Sequence, residues 1–269
     1  MKIWYFKKPF FIFCVIVLFF ILAISVSFCI NKSSNNIKEE NEEIIDIEIA
    51  DPEECECNDL SKIKERNEIL KEKYKQKKLI AITFDDGPSQ YTKDLVDELK
   101  KRDTPATFFI LGSEAIQRPD ILKFAYDAGN EIGIHSYEHK LFTKLSDEEI
   151  LEQVTKTKDI INDVTGNSAN LIRVPYGSQN KKIKKILDDH ELASVLWNVD
   201  SLDWKLKNTK RTYDYVMKKV KGNDIILMHD NFKTSVEAAT LIIDTLQSKC
   251  YTFVTVSEFL SIKEMVANK

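Results

Sequence analysis

The sequence contains few of the residues that mark disulfide-rich or nucleic-acid-binding proteins. Its 269 residues include only five cysteines, and Cys55-Glu56-Cys57 lacks the Cys-x-x-Cys spacing of a zinc knuckle or redox motif, so we predict no disulfide framework. A formal net charge of -4 without a basic stripe gives no reason to expect nucleic acid as a partner. No internal repeat is found. With 43% hydrophobic and 30% charged residues, the chain is long enough for one large α/β domain and an appendage.

One long apolar run lies near the N-terminus. Pro9 to Ile30 carries no charge and matches the ~20 residues that a helix needs to cross a bilayer. No Ala-x-Ala cleavage site follows, so we predict that 9–30 is an uncleaved transmembrane signal anchor. Lysines before this run place residues 1–8, a short tail, in the cytoplasm and the rest of the chain outside the cell. The expected location is therefore the cell membrane, with a single span and an extracellular domain.

The next segment changes from acidic to helical. Residues 31–59 are rich in Glu, Asp, Asn and Ser, which predicts a solvated, disordered spacer. From Leu60 onward apolar residues recur three and four positions apart, which predicts a helix over 60–77. Two alternatives remain for this helix: a stalk that dimerises weakly through 60–74, or a helix that packs on its own domain.

From Lys78 onward, short apolar runs alternate with helical patterns. The alternation predicts parallel strands in a barrel-like α/β fold. In such folds, reactive groups lie at the carboxyl ends of the strands. The predicted strands are 79–84, 106–111, 131–134, 171–174, 194–199, 224–228 and 252–256, and the helices between them start near Thr92, Pro119, Asp147, Lys181, Thr212 and Val236.

Nearly every predicted strand ends on residue types that carry catalysis. Three of the four histidines occupy these ends, whereas His190 lies in a Lys/Asp-rich helix end typical of ordinary surface. In chain order the strand-end residues are Asp85 and Asp86, His135 and His139, Arg173 and Tyr176, Asp200, Asp203 and Trp204, and His229 and Asp230.

Five motifs around these residues resemble those of the polysaccharide deacetylase, or NodB-homology, family of carbohydrate esterases, and are most similar to its membrane-anchored bacterial peptidoglycan N-acetylglucosamine deacetylases. The resemblance implies a distorted (β/α)7-type barrel over 78–262, followed by a C-terminal tail at 263–269. It also implies a divalent metal and hydrolysis of acetyl groups on a polysaccharide. The motifs are Thr83-Phe84-Asp85-Asp86-Gly87-Pro88, His135-Ser136-Tyr137-Glu138-His139, Arg173-Val174-Pro175-Tyr176-Gly177, Asp200-Ser201-Leu202-Asp203-Trp204 and Leu227-Met228-His229.

A metal site is predicted from two histidines and one carboxylate. Three N/O ligands leave a position for water, which is typical of a catalytic rather than a structural metal. His135 and His139 supply the nitrogens, and by resemblance the carboxylate is Asp86. We expect zinc, although this ligand set also accepts cobalt or other divalent ions.

The resemblance also implies the acid–base roles. Asp85 resembles the family's general base, which takes a proton from the metal-activated water, and Arg173 matches the residue that orients this base. His229 resembles the general acid that protonates the leaving amine. Asp203 matches the residue that pairs with His229 and raises its pKa.

Four more residues match positions around the acetyl group. The backbone N–H of Tyr176 resembles the donor to the oxyanion, and Pro175 would fix the turn that directs this N–H. Trp204 and Leu227 match the apolar walls that receive the acetyl methyl group. The role of Asp200 stays open.

Two other functions compete with a deacetylase. His135-x-x-Glu138-His139 also fits an inverted zinc-peptidase signature, which would require a helix there. A catalytically silent saccharide-binding protein is the second alternative, although every expected catalytic residue is present.

The substrate class rests on the predicted extracellular location. This location favours N-acetylglucosamine of peptidoglycan. The third motif, Arg-Val-Pro-Tyr-Gly, favours the same sugar, because it differs from the Arg-Pro-Pro-like motif of the muramic-acid-directed branch. Chitin-like polymers, surface N-acetylglucosamine polymers and O-acetylated polymers such as xylan remain open.

Overall fold

The computed structural model describes residues 52–268, with side chains from residue 60 onward. The predicted tail 1–8, the predicted anchor 9–30 and most of the predicted spacer 31–59 lie outside the described residues. Within residues 52–268, no helix combines the length and apolarity needed to span a membrane. The chain divides into two compact units between Asp59 and Leu60. The sheet lies wholly in the unit that begins at Leu60.

The helix predicted over 60–77 is present as α1, Pro52–Lys75, and begins inside the stretch assigned to the spacer. Proline and acidic residues are both favourable at a helix N-terminus, which accounts for the earlier start. Near its C-terminal end Leu70 is buried, and the Tyr74 ring contacts Phe259 edge-on with centroids 5.9 Å apart. These contacts favour the alternative in which the helix packs on its own domain.

The sheet contains eight strands, and every strand pair is parallel. The hydrogen-bonded order is β5-β4-β3-β2-β1-β7-β6, with β8 pairing beside β1. The result is an open half-barrel of parallel strands, consistent with the predicted (β/α)7 barrel. The strands are β1 Leu79–Gly87, β2 Thr107–Leu111, β3 Glu131–Ser136, β4 Leu171–Ile172, β5 Ala193–Ser194, β6 Val199–Asp200, β7 Asp224–His229 and β8 Thr252–Phe253.

Helices connect most of the strands and cover the outside of the sheet. Four begin at the predicted residues, whereas those predicted at Thr212 and Val236 each begin three residues earlier. Asn208 explains the first difference, because its side chain accepts a hydrogen bond from Arg211 N and caps the helix. The helices are α2 Thr92–Lys101, α3 Gly112–Gln117, α4 Pro119–Asp127, α5 Asp147–Thr165, α6 Lys181–Asp189, α7 Asp203–Leu206, α8 Thr209–Lys219, α9 Lys233–Ser248 and α10 Val256–Ala267, with 3-10 turns at Phe142–Lys144 and Pro175–Gly177.

The boundary between domain and tail also differs from the prediction. Helix α10 runs to Ala267 without a break at 262, so most of the predicted tail 263–269 is helical. Thr255 and Glu258 form a capping box at the start of this helix. Phe259 and Ile262 on the same helix are buried in the core.

The prediction of one strand over 194–199 was wrong. The structure has two short strands, β5 and β6, which lie at opposite edges of the sheet. Between them the chain crosses the opening of the half-barrel: Val195 N donates to Ile172 O at one edge, and Asn198 N donates to Ile225 O at the other. An apolar run has the same appearance in sequence whether it pairs along one strand or crosses between two.

Strand β1 shows how the core leads to the polar strand ends. Its residues alternate between two faces. Ile80, Ile82 and Phe84 belong to the cluster packed with the helices, whereas Leu79 and Ala81 belong to a second cluster with Phe109, Leu171 and Val195. By the same alternation Thr83 and Asp85 continue the face of Leu79 and Ala81. This inner face therefore changes from apolar to polar toward the carboxyl end of the strand.

Candidate active site

The end of β1 presents two neighbouring carboxylates to one site. The pairing with β2 shifts register between Asp85 and Gly87, and Asp86 has a left-handed φ of 71°. A bulge of this kind lets adjacent residues approach the same side of a strand end. The Asp85 Oδ2 and Asp86 Oδ1 atoms accordingly lie 3.9 and 3.5 Å from His135 Nε2.

Asp86, His135 and His139 form a group that could hold a metal ion. Their ligand atoms all lie within 4.8 Å of one another, and Asp86 Oδ1 is 3.5 Å from Nε2 of each histidine. This carboxylate oxygen is buried and has no hydrogen-bond partner within residues 52–268. An uncompensated buried carboxylate oxygen is costly, and a divalent cation would satisfy it.

Both histidines present a ring nitrogen to this group. His135 Nδ1 donates to Arg173 O at 2.6 Å, which leaves the lone pair of Nε2 for a metal. Burial lowers the pKa of His139, although the charge of Asp86 partly opposes this shift. The residues present therefore fit a divalent ion of the kind predicted from the sequence.

Asp85 is held by Arg173 inside the barrel. Arg173 Nη1 donates to Asp85 Oδ1 and to Thr83 Oγ1, both at 2.7 Å. The arginine side chain is 0% exposed. Burial lowers its pKa and the charge of Asp85 opposes that change, but a guanidinium is too basic to lose its proton here. Asp85 therefore faces a permanent positive charge.

Aromatic rings and carbonyl groups surround the same guanidinium. Arg173 Cζ lies 4.2 Å from the ring centroid of Phe109 and 5.6 Å from that of Trp197. Its Nε donates to Val195 O at 3.3 Å, and its Nη2 lies 3.5 Å from Leu196 O. These two carbonyls belong to the segment that crosses the opening of the half-barrel. Arg173 consequently fastens that segment to the carboxylate end of β1.

His229 and Asp203 form a second charge pair. His229 Nδ1 donates to Asp203 Oδ1 at 2.9 Å, and His229 N donates to Asp203 Oδ2 at 2.8 Å. Burial lowers the pKa of His229, but the hydrogen bond and charge of Asp203 outweigh burial and raise the pKa to about 9. Burial would raise the pKa of Asp203, and its hydrogen bonds with His229 instead hold it below the ordinary value.

These groups open into a cavity of about 350 Å³ with aromatic walls. Tyr176 has a left-handed φ of 60° and is 65% exposed. Its ring meets that of His139 edge-on, with centroids 4.5 Å apart. Trp204 is 47% exposed at the same cavity. The lining residues are Asp85, Asp86, His135, His139, Tyr176, Trp197, Asp200, Trp204, Leu227 and His229.

Eight of the eleven predicted site residues line this cavity. The other three lie behind it: Arg173 holds Asp85, Asp203 holds His229, and buried Pro175 is the first residue of the turn that carries Tyr176. Asp200, whose role the sequence left open, lines the cavity while its Oδ1 accepts from Leu202 N at 2.9 Å.

Besides Asp200, two residues at or beside the cavity had no predicted function. Trp197 lines the cavity from the middle of the segment mistaken for a strand. Asp230 follows His229 and is completely buried, and burial raises its pKa to about 7. The only indication of Asp230 in the sequence was its position directly after His229.

The peptidase alternative requires the His-x-x-Glu-His segment to be one helix. The structure places His135 in β3, and residues 137–141 are not helical. Glu138 is exposed and forms an ion pair with Lys140 at 2.6 Å. The glutamate therefore does not face the two histidines as that mechanism would need.

The family model described as polysaccharide deacetylase matches residues 72–195. In a solved structure, that of the peptidoglycan deacetylase PdaC from Bacillus subtilis, 41% of the aligned residues are identical, the TM-score is 0.67, and the alignment covers 70% of this chain and 92% of that one. This chain belongs to the polysaccharide deacetylase family. The identity and the near-complete coverage together decide the assignment, and the five motifs all lie within residues 83–229.

Two curated relatives carry names that differ in the sugar. The peptidoglycan-N-acetylmuramic acid deacetylase PdaC of Bacillus subtilis (strain 168) is 38% identical over 220 residues, covering 76% of this chain and 46% of that protein. The peptidoglycan-N-acetylglucosamine deacetylase PgdA of Listeria monocytogenes (strain 10403S) is 36% identical over 198 residues, covering 73% and 42%. This chain thus spans less than half the length of either relative.

Proposed function

We propose that this polysaccharide deacetylase removes acetyl groups from an N-acetylated cell-wall polysaccharide, with N-acetylglucosamine of peptidoglycan as the first choice of substrate. One observation carries the proposal: the three possible metal ligands line the same cavity as Asp85 and His229. Asp85 is bound by Arg173, and His229 is bound by Asp203. Hydrolysis of an amide needs both a base and an acid, and the two pairs supply one of each.

Asp86, His135 and His139 would hold the divalent ion, for which zinc is our expectation. When bound, such an ion supplies a Lewis acid that polarises a carbonyl and makes a water molecule more acidic. The buried, unpartnered Asp86 Oδ1 and the free Nε2 of His135 support this use of the three residues.

Asp85 acts as the general base. Its Oδ1 is occupied by Arg173, whereas its Oδ2 faces the metal-binding group, 3.9 Å from His135 Nε2. Oδ2 is therefore the atom that accepts a proton from the attacking water.

His229 acts as the general acid. Its Nδ1 proton is committed to Asp203, so the proton available for transfer is on Nε2, which lies 4.0 Å from Asp86 Oδ2. With a pKa raised to about 9, the imidazole holds both protons at neutral pH. It can therefore give one to the amine as the carbon–nitrogen bond breaks.

Exposed aromatic rings suit a sugar substrate. Tyr176 and Trp204 stand at the mouth of the cavity, and buried Leu227 lines it, so the acetyl methyl group has an apolar wall. We place the peptide N–H of Tyr176 as the donor to the oxyanion. Relatives named for the two peptidoglycan sugars are similarly related, at 38% and 36% identity, so our preference for N-acetylglucosamine rests on Arg-Val-Pro-Tyr-Gly and on the proposed location.

Acetate release tests this function. The full-length protein, stripped with chelator and then given zinc, is incubated with peptidoglycan and with N-acetylglucosamine oligomers. We expect metal-dependent acetate, and mass spectrometry of the digested glycan to show which sugar has lost its acetyl group. Asp85→Asn in the same preparation provides the control. Absence of acetate from a zinc-loaded protein would instead favour a silent saccharide-binding role.

The location is a separate part of the proposal. The charge-free run Pro9 to Ile30 after several lysines would hold the protein in the cell membrane with the catalytic domain outside. Protease added to intact cells should release the domain by cutting within 31–59. Protection of the domain until the cells are lysed would contradict this orientation.

A further inference from the structure

Asp230 is a buried acid that the proposed chemistry does not use. It follows His229 at the end of β7 and is 0% exposed. Thr92 Oγ1 donates to its Oδ2, whereas its Oδ1 has no hydrogen-bond partner within the described part of the chain. Burying a carboxyl group with one oxygen unsatisfied is costly, so its position calls for a physical explanation.

Asp230 joins the end of β7 to the turn that follows β1. Ser89 Oγ donates to Asp230 O at 2.6 Å. Ser89 N donates to Thr92 Oγ1 at 2.6 Å, and Tyr91 N donates to Ser89 Oγ at 2.9 Å. The main chain and the side chain of Asp230 are thus both bound to the segment between Ser89 and Thr92.

The carboxyl group of Asp230 also packs directly against Gly87. A Cβ atom added at Gly87 would lie 2.5 Å from Asp230 Oδ2 and 2.9 Å from Oδ1. Gly87 follows Asp86, whose left-handed backbone is unfavourable for a residue with a side chain. Such a conformation persists only where the surroundings fix it, and Asp230 supplies part of those surroundings.

We propose that Asp230 is a positioning residue that fixes the Asp86–Ser89 turn and thereby the metal ligand Asp86. The inference rests on the proposed function, because it concerns the same metal-binding group. Asp230 is adjacent to His229 and Gly87 is adjacent to Asp86. One contact therefore also sets the spacing between the general acid and the metal ligand, which is 4.0 Å from His229 Nε2 to Asp86 Oδ2.

Zinc affinity of the full-length protein tests the proposal without any glycan substrate. By competition with a chromophoric chelator, Asp230→Ala should weaken zinc binding by about 10–100-fold, the usual effect of removing a residue that supports a metal ligand. Asp230→Asn keeps the volume and an oxygen that accepts from Thr92, so it should retain most of the affinity. Asp94→Ala, at an exposed position of α2, is the matched control and should leave zinc affinity unchanged.

Two more measurements separate positioning from a general loss of stability. In the metal-free protein, amide hydrogen exchange over 86–89 should accelerate in Asp230→Ala, while exchange in the strands β2 and β3 stays unchanged. For turnover, the same variant should lower kcat with little change in KM. Wild-type zinc affinity and wild-type exchange in Asp230→Ala would overturn the proposal. If that variant does not fold, Thr92→Val replaces it, because this change removes the hydroxyl that donates to Asp230. Zinc affinity and hydrogen exchange are then measured on Thr92→Val, and the same results decide.

A double variant examines the contact itself. Gly87→Ala should weaken zinc binding because its methyl group meets the carboxyl group. Adding Asp230→Ala removes the obstruction, so the double variant should bind zinc more tightly than Gly87→Ala alone. Losses that simply add would show that the two residues act independently and would overturn the inference. Since the zinc-binding and hydrogen-exchange measurements do not require deacetylation, failure of the proposed function would leave their results interpretable.

Discussion

The cavity is flanked by two ion pairs of opposite orientation. On one side the carboxylate of Asp85 faces the cavity and its cation, Arg173, lies behind it. On the other side the cation, His229, faces the cavity and its carboxylate, Asp203, lies behind it. The same kind of pair therefore presents an acidic side chain to the cavity on one side and a basic side chain on the other. The direction of each pair, rather than its presence, assigns the two roles.

The two pairs also differ in burial. Arg173 and Asp85 are almost completely buried, whereas the side chain of His229 is 13% exposed. A buried pair is costly to break, because the remaining charge has no solvent to stabilise it. A partly exposed imidazole can instead lose its proton when its partner is removed. The base side should therefore respond to mutation mainly through stability, and the acid side mainly through pH dependence.

Removing a reacting group should have the largest effect. Asp85→Asn and His229→Ala should each reduce kcat by about 10²–10⁴-fold, the usual contribution of a general acid or base. Zinc affinity should stay near that of the wild type, because neither residue belongs to the three-ligand group. Acetate release with a parallel zinc titration measures both quantities. Full activity in either variant would remove that residue from the mechanism.

Removing the cation behind the base should come next. Arg173→Met leaves Asp85 buried and unpaired and should lower the free energy of unfolding by about 3–5 kcal/mol. Denaturant unfolding of the metal-free protein measures this change. Asp203→Asn is the comparison, since the His229 that it leaves behind is partly exposed and can lose its proton, and it should cost much less. Equal losses in the two variants would contradict the asymmetry between them.

On the acid side, Asp203→Asn should act through pH. The pKa of folded His229, about 9, lies above the ordinary value near 6.5, so the pair stabilises the fold fully below pH 6.5. That contribution should disappear as pH rises toward 9. Thermal unfolding of the metal-free wild type should show this loss of stability, and Asp203→Asn should lack it. A wild-type profile in the variant would place the titrating group elsewhere.

The sequence predicted the site better than it predicted the chain around it. Asp85, His135 and His229 each follow a short apolar run, and parallel strands bring such positions to one edge. The split at 194–199 was not predictable in this way, because it depends on Arg173 binding the carbonyls of Val195 and Leu196 across the sheet. Nor does sequence periodicity reveal the contact between Asp230 and Gly87, which are distant in the chain. Local patterns specify strands and their ends, whereas contacts between distant segments decide which polar residues become buried.

Mutation of His190 should have the smallest effect, and it is the control for both ion pairs of the site. It is exposed at the end of α6, where its Nδ1 lies 2.8 Å from Ile186 O. It precedes β5, so it lies at the amino edge of the sheet, whereas His135 and His229 lie at the carboxyl ends of β3 and β7 and His139 follows β3. His190→Ala should leave kcat, zinc affinity and the pH profile of stability unchanged. A loss comparable to that of His229→Ala would mean that histidine content, rather than position at the carboxyl edge, governs activity.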